Sequence, residues 1–422
     1  MSSIRISPGV LNGTVSVPPS KSAAHRAVIC AALSGGECKI APIELSEDIK
    51  ATIGCMKALG AEADVKDGVL TINGNNLFRN KTALLDCGES GSTLRFLIPV
   101  AAAGGVSAEF IGRGKLPERP IGVFCDCLPQ NGTQCITEGG LPLKISGQLQ
   151  SGIYRVAGNI SSQFITGLLL ALPLLAGDSE IVLTSPAAST GYIDMTIDIM
   201  HEFGVEVTAS ENGWHIRGGQ HYKARSYTVE GDWSQAAFFM TAAALGGTIT
   251  IDNLNLHSCQ GDKACVEIYK SLGAKISVDG NKVTITPGIL KAVSVHAQDI
   301  PDMVPALAAA AALAEGTTRI TGAQRLRIKE CDRLHAMTDG LKRLGADIEE
   351  TEDGLIIRGV PRLKGGLAEG YNDHRIVMSL AVASAACDGD IIITDRESIN
   401  KSYPSFFEDF RKLGGKADVI MG

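Results

Sequence analysis

The stretch LKRLGADIEETEDGLIIRG, residues 341–359, decides the fold because it is one of six. It reads as the end of an amphipathic helix, a Leu-Gly stop, and two short strands joined at Asp353-Gly354. Near-copies begin at residues 56 (MKALGAEADVKDGVLTING), 127 (CLPQNGTQCITEGGLPLKISG), 201 (HEFGVEVTASENGWHIRGG) and 269 (YKSLGAKISVDGNKVTITPG), with a shortened FRKLGGKADVI at 410. The helix-ending glycines are Gly60, Gly132, Gly204, Gly273, Gly345 and Gly414, at intervals of 72, 72, 69, 72 and 69 residues. In the last full copy Leu334, Met337, Leu341 and Leu344 step by 3, 4 and 3, which puts them on one helical face.

A second phrase keeps the same period: an almost wholly apolar, Ala-rich segment, a Gly stop, then a β-branched strand. Its copies include AHRAVICAALSGGECKI, TLRFLIPVAAAGGVSAEF and SQAAFFMTAAALGGTITI, and their ends are marked by Gly36, Gly105, Gly177, Gly247, Gly316 and Gly389. A helix that is apolar all round has to be surrounded by protein. Each unit of about 70 residues therefore reads strand, helix, strand, helix, strand pair, in an α/β architecture. An open solenoid would not need six fully buried helices and would need polar caps at its ends. Two closed domains of three units each are expected instead. One is discontinuous, residues 1–19 plus 229–422, with apolar helices starting near 234, 302 and 374. The other spans 20–228, with apolar helices near 22, 92 and 163. The crossovers fall near 18–21 and 227–231, and the N-terminal strand returns to complete the discontinuous domain.

Composition narrows the function. The 422 residues are 45% hydrophobic and 20% charged, with net charge −7, no Lys/Arg block and 5% aromatics, so no nucleic-acid surface is expected. Eleven cysteines without a C-x-x-C pattern, and eight histidines without ligand spacing, point to reduced thiols, a cytoplasmic setting and no metal. The N-terminal stretch lacks the apolar core of a signal peptide, and no uninterrupted apolar run suggests a membrane partner.

The chemistry collects where the apolar helices begin, at PPSKSAAHR, GESGSTLR, NISSQF, EGDWSQ, DIPDM and YNDHR. Ser, Asp, Asn and Gly there are ordinary N-cap residues. The basic residues Lys21, Arg26, Arg95, His374 and Arg375 are not, because a cation near a helix N-terminus opposes the macrodipole unless an anion is present. Helix starts carry free N–H groups that bind phosphate and carboxylate. If the buried helices of a domain share a direction, their positive ends converge, and two such faces across a cleft would attract anions. RLRIKECDRLH adds Lys329, Glu330 and Arg333 at another helix start, LPERPIG adds Arg119, and NKSYPSFF adds Lys401. No P-loop, dinucleotide fingerprint or G-x-S-x-G elbow is present. His25 and His335 read as helix-surface or cap residues.

Taken in order, PPSKSAAHR, SGSTLRF, ERPIG, SSQF, DIPDM, RIKECDRL, YNDHR and NKSYPSFF resemble the 5-enolpyruvylshikimate-3-phosphate synthase family over nearly the whole chain. The resemblance implies a two-domain inside-out α/β barrel, a βαβαββ unit repeated six times, with the active site in the cleft between the domains. It also implies transfer of the enolpyruvyl group of phosphoenolpyruvate to the 5-hydroxyl of shikimate 3-phosphate, by addition and elimination through a tetrahedral intermediate. It implies no cofactor and small-molecule partners only, in a monomer belonging to a family targeted by glyphosate.

By motif, the resemblance assigns Ser22, Arg26, Ser161, Ser162, Gln163, Ser189, Tyr192, Asp302, Arg325 and Lys329 to shikimate 3-phosphate. It assigns Lys21, Gly91, Arg119, Gln163, Arg333, Arg375 and Lys401 to phosphoenolpyruvate, with Gly91 allowing close backbone approach. The expected base is Asp302 and the expected proton donor to carbon is Glu330, with Lys21 as its rival. Lys329 and Arg333 should lower the pKa of Glu330 and burial should raise it, so a closed, dry site is part of that expectation.

The chain departs from the family pattern at Glu89 (usually Asn), Ser92 (usually Thr), Phe96 (often Pro) and Arg325 (often Asn). These positions bear on the loop before Gly91 and on inhibitor response. The related UDP-N-acetylglucosamine enolpyruvyl transferases place a reactive Cys before the ERPIG stretch, where GRGKLPERP has none. A scaffold that had lost turnover should lack Lys21, Asp302 or Glu330; all three are present.

Overall fold

A computed structural model describes residues 2–420. The chain divides into two compact units, Met1–Pro18 with Glu230–Gly422, and Pro19–Val229. Each has its own hydrophobic core.

Among the described residues, twelve α-helices alternate in character. In the second unit they are α1 (Lys21–Leu33), α2 (Glu47–Ala58), α3 (Gly91–Ala103), α4 (Gly122–Cys127), α5 (Ser162–Ala171) and α6 (Thr190–Glu202). In the discontinuous unit they are α7 (Trp233–Leu245), α8 (Cys265–Ser271), α9 (Val304–Ala311), α10 (Arg333–Arg343), α11 (His374–Ala383) and α12 (Phe406–Lys412). The odd-numbered helices are the apolar ones. Every residue of α9 is buried, and so is every residue of α11. The even-numbered helices bury one face: Leu334, Met337, Leu341 and Leu344 all lie at 0% exposure on or at the end of α10.

The Leu-Gly refrain is a helix stop with a defined hydrogen-bond pattern. All six of its glycines have positive φ. At the end of α10, Gly345 N–H donates to the Lys342 carbonyl at 2.9 Å and Ala346 N–H to the Leu341 carbonyl at 3.0 Å, the two bonds of a Schellman cap. The same pair of bonds closes α2, α6, α8 and α12. At Gly273 the constraint is double, since a Cβ there would lie 2.2 Å from the Ile289 carbonyl oxygen. The glycines after the apolar helices are less uniform. Gly105, Gly247 and Gly316 have positive φ, but after α1 it is Gly35 rather than Gly36. There Ser34 helps to end the helix, its Oγ donating to the Ala31 carbonyl at 2.7 Å.

The strands form six four-stranded sheets among the described residues, all with one order. The strand before a buried helix pairs parallel with the strand after it; that strand pairs antiparallel with the second strand of the hairpin, which pairs with the first. Thr82–Asp86, Ser107–Ile111, Leu143–Gly147 and Thr133–Ile136 form one such sheet around α3 and α4. Three places are filled by distant segments. Gly13–Ser16 runs parallel to Ile249–Asp252, Ser226–Thr228 runs parallel to Glu37–Ala41, and Ser3–Ser7 lies between Ile391–Ile393 and Lys416–Ile420. The last insertion explains why the sixth refrain is short: its missing strand is supplied by the N-terminus. The α/β class and the sixfold βαβαββ repeat are thus those of the sequence reading.

Candidate active site

Within each unit the starts of the three buried helices converge. In the second unit, Gln163 in the first turn of α5 donates to Ser92 Oγ of α3 at 3.0 Å and accepts from Arg95 Nη1 at 2.6 Å. Thr93 of α3 reaches the Asp48 carbonyl of α2 at 3.4 Å, and the Asp48 carboxylate holds Lys21 of α1 at 2.8 Å. Ser20, Ser90 and Ser161 cap α1, α3 and α5 by accepting from the N–H of Ala23, Thr93 and Gln163.

The cations of this face have internal partners that the helix-dipole argument did not foresee. Arg26 is buried; it donates to Thr196 and Thr166 hydroxyls and to the Ser22 and Tyr192 carbonyls. Burial lowers its pKa to about 10. Arg95 donates to the Pro120 carbonyl at 2.9 Å as well as to Gln163. A ligand is therefore not required to explain either residue: neutral oxygens at favourable distance offset the dipole. Arg95 instead ties down the loop that carries Arg119. A Cβ on Gly91 would lie 2.7 Å from the Arg119 guanidinium, so the glycine makes room for that buried arginine. Ser162 and Ser189 are buried, and Ser189 has φ 57° at the start of α6, where its carbonyl accepts from Tyr192 N–H.

The discontinuous unit gathers carboxylates as well as cations. Arg333, 2% exposed, donates to Asp373 at 2.7 Å, Glu330 at 2.7 Å and Asp302 at 3.0 Å. Arg375 reaches the Asp302 carboxylate at 3.3 Å, its carbonyl at 3.0 Å and Ser234 Oγ of α7 at 3.0 Å. Lys329 lies 3.6 Å from Asp302. Asp302 occupies the turn Pro301–Met303 leading into α9, while Asp373 caps α11, so these bonds join the starts of α7, α9 and α11. Lys401 donates to the Asn372 carbonyl at 2.6 Å, beside the same cap. Arg325 donates to the Gln298 carbonyl. Burial pushes the Asp302 pKa up, but Arg375, Lys329 and Arg333 together hold its carboxyl well below the usual carboxylate range.

These two constellations can be set beside known proteins. The model of the EPSP synthase (3-phosphoshikimate 1-carboxyvinyltransferase) family matches residues 6–410. The chain belongs to the EPSP synthase family. Its similarity to the 3-phosphoshikimate 1-carboxyvinyltransferase of Clostridium perfringens is 48% identity, covering 98% of this chain and 99% of the relative. The enzyme of the same name from Clostridioides difficile is 47% identical, with 99% of each chain covered. The solved EPSP synthase of Acinetobacter baumannii superposes with a TM-score of 0.83 at 29% identity over 100% of both chains.

In this member of the EPSP synthase family, two carboxylates matter that sequence reasoning passed over. Asp48 pairs with Lys21, and Asp373 takes two bonds from Arg333. Both read in sequence as ordinary helix-start acids, and nothing in the spacing separates them from Glu47 or Asp232. One histidine differs from expectation. His25 is not a surface or cap residue: it is fully buried on α1, with Nδ1 2.7 Å from Thr52 Oγ1 and its ring edge-on to Phe96. Burial first, then Lys21 and Arg26, lower its pKa well below the ordinary value, which keeps it neutral. His335 is exposed on α10. Among the described residues, no group of three His, Cys, Asp or Glu is placed to hold a metal ion, and no helix is long and apolar enough to cross a membrane.

Proposed function

We infer that the chain transfers the enolpyruvyl group of phosphoenolpyruvate to the 5-hydroxyl of shikimate 3-phosphate, releasing phosphate, as its family does. The observation that carries the residue assignment is the Asp302 carboxylate held among Arg333, Arg375 and Lys329 where three buried helices begin. Both substrates carry phosphate and carboxylate groups, the anions that guanidinium forks and helix N-termini bind best.

In this reading the motif residues of the chain divide between the two substrates. Arg333, Arg375, Lys401, Lys21, Arg119, Gln163 and Gly91 serve phosphoenolpyruvate. Ser161, Ser162, Ser22, Arg26, Gln163, Ser189, Tyr192, Arg325 and Lys329 serve shikimate 3-phosphate, with Asp302 on its 5-hydroxyl. The hydroxyl oxygen adds to the central carbon of phosphoenolpyruvate while the methylene carbon takes a proton. The tetrahedral product then loses phosphate and a methyl proton, restoring the double bond.

Asp302 as found is a weak base, because three cations stabilise its anion. Substrate phosphate and carboxylate arriving on Arg333 and Arg375 would share that positive charge and raise the basicity of Asp302 toward its task. Glu330, on the far fork of Arg333, donates the proton to carbon, with Lys21 as the competing donor. The chain needs no cofactor, works in the cytoplasm and acts as a monomer.

Phosphate release from phosphoenolpyruvate decides the reading. It is expected with shikimate 3-phosphate and not with UDP-N-acetylglucosamine. Release only with the nucleotide sugar would move the chain to the related transferases, and release with neither would leave a scaffold.

A further inference from the structure

Among the described residues seven that are not glycine have φ in the left-handed region, and three of them, Tyr371, Asn372 and Asp395, meet at one place. Asp373 N–H donates to the Gly370 carbonyl at 2.9 Å, and φ is 53° at Tyr371 and 49° at Asn372, the marks of a type I′ turn. Asn is at home in that conformation; a bulky Tyr is not. Strained backbone persists only where its surroundings hold it, and it gathers at functional sites. Here the surroundings are specific. Tyr371 Oη donates to Asp339 Oδ2 of α10 at 3.1 Å, and its ring meets that of His335 edge-on at 6.2 Å. Gly370 N–H donates to Thr394 Oγ1 at 3.0 Å, and Thr394 Oγ1 donates to Asp395 Oδ2 at 3.3 Å. Asn372 N–H donates to the same carboxylate oxygen at 3.1 Å.

The turn offers two of its oxygen groups to cations of the candidate site. The Asn372 carbonyl accepts from Lys401 Nζ at 2.6 Å, and the Asp373 carboxylate accepts from Arg333 Nε at 2.7 Å. Asp395 stands just before the 3₁₀ turn Arg396–Lys401, where its side chain makes no capping bond. Its backbone carbonyl accepts from Ser398 N–H at 2.9 Å, while its carboxylate reaches across to Asn372. Asn372 thus holds both ends of the segment that carries Lys401, through its N–H at Asp395 and its carbonyl at Lys401. Lys401 is 7% exposed, and ordering so long a side chain has an entropic cost that these bonds offset.

We propose that Asp395 is a positioning residue for Lys401, acting through the left-handed turn Gly370–Asp373. Without the bond from Asn372 N–H to Asp395, the Asn372 peptide is free to rotate and its carbonyl no longer faces Lys401. The ammonium keeps its charge and loses its fixed place. A cation out of register binds an anion less well, since binding depends on groups already held in the productive geometry. The effect on phosphoenolpyruvate rests on the proposed function; the placement of Lys401 does not.

Two variants separate the carboxylate from the backbone conformation. Asp395→Gly keeps an unstrained left-handed residue and removes the acceptor, whereas Asp395→Asn keeps both the conformation and an acceptor oxygen. Whole protein is acetylated briefly with acetic anhydride, and modification of Lys401 relative to exposed Lys144 is read by mass spectrometry. Loss of one hydrogen bond should speed Lys401 labelling about fivefold in Asp395→Gly, with Asp395→Asn close to wild type. In steady-state assays Asp395→Gly should raise KM for phosphoenolpyruvate about 10-fold and leave KM for shikimate 3-phosphate within about twofold, and Asp395→Asn should restore the first. Unchanged Lys401 labelling in Asp395→Gly would overturn the proposal whatever the activity. So would equal rises in both Michaelis constants, which mark a general loss of structure, or a failure of Asn to rescue. A wild-type protein that releases no phosphate with shikimate 3-phosphate would remove the proposed function, and the labelling would still decide what places Lys401. The Asn372 amide of the wild type should also be protected from hydrogen exchange. Rapid exchange there would overturn the proposal even where Asp395→Gly fails to fold.

Discussion

The helix starts of the two units solve the same electrostatic problem in opposite ways. In the discontinuous unit the named cations Lys329, Arg333, Arg375 and Lys401 stand among the carboxylates Asp302, Glu330 and Asp373. In the other unit Arg26 and Arg95 donate to hydroxyls, a side-chain amide and carbonyls, and Lys21 pairs with Asp48. Neutral oxygens hold a cation in place without cancelling its charge, so that face keeps its pull on anions. Carboxylates cancel charge but bring groups that can exchange protons. On the proposed assignment, the difference amounts to a division of labour: acid–base chemistry in the discontinuous unit, and mainly anion binding in the other.

Glu330→Gln should show the largest effect if this division is right. It should lower kcat about 100-fold to 10,000-fold, the usual worth of a positioned proton donor, with KM for phosphoenolpyruvate changed far less. Near-normal turnover in steady-state assays would pass the donor role to Lys21, in the other unit, and dissolve the contrast. Arg333→Ala comes next. It leaves Asp373, at 0% exposure, without its cation, and should cost about 3–5 kcal/mol in urea unfolding. A loss below about 1 kcal/mol would mean the carboxylates are not held by this arginine.

Gly91→Ala probes the binding side. The added methyl would meet the Arg119 guanidinium at 2.7 Å and push it aside. Loss of one charge-assisted bond should raise KM for phosphoenolpyruvate about 10-fold at nearly constant kcat. A fall in kcat alone would place chemistry, not binding, on this face.

The smallest effect concerns pH. His25 packs against Thr52 and Phe96, with Lys21 and Arg26 as the charged neighbours that oppose its protonation. Its folded pKa is depressed, so the unfolded chain takes up a proton below about pH 6.5 that the folded chain refuses. Stability should therefore fall as pH drops from about 6.5 toward the folded pKa, by at most about 1.4 kcal/mol per pH unit. His25→Gln should remove that slope in denaturant titrations between pH 5 and 7; an unchanged slope would show that His25 is charged in the fold.

Much of this was legible because it is local and repeated. A Leu-Gly stop, an alternating strand pair and an all-round apolar helix each leave a signature within about 20 residues, and six copies make each one readable against noise. The motif residues at the helix starts were legible for the same reason. Asp48 and Asp373 were not: an acid at a helix N-terminus looks alike in sequence whether it caps a helix or holds Lys21 or Arg333. His25 was misplaced because a helix apolar on all sides gives no periodic cue to which residue meets a polar neighbour.

The sequence by itself determined the repeat, the two kinds of helix, the stops between them and the set of side chains available for chemistry, since all of these follow from patterns within one unit. Only the tertiary structure decided which charge faces which. Ion pairs such as Arg333 with Asp373 and Arg375 with Asp302 join residues 40 and 73 positions apart. Coulomb energy depends on distance in space, and the chain fixes that distance only after its strands and buried helices have packed.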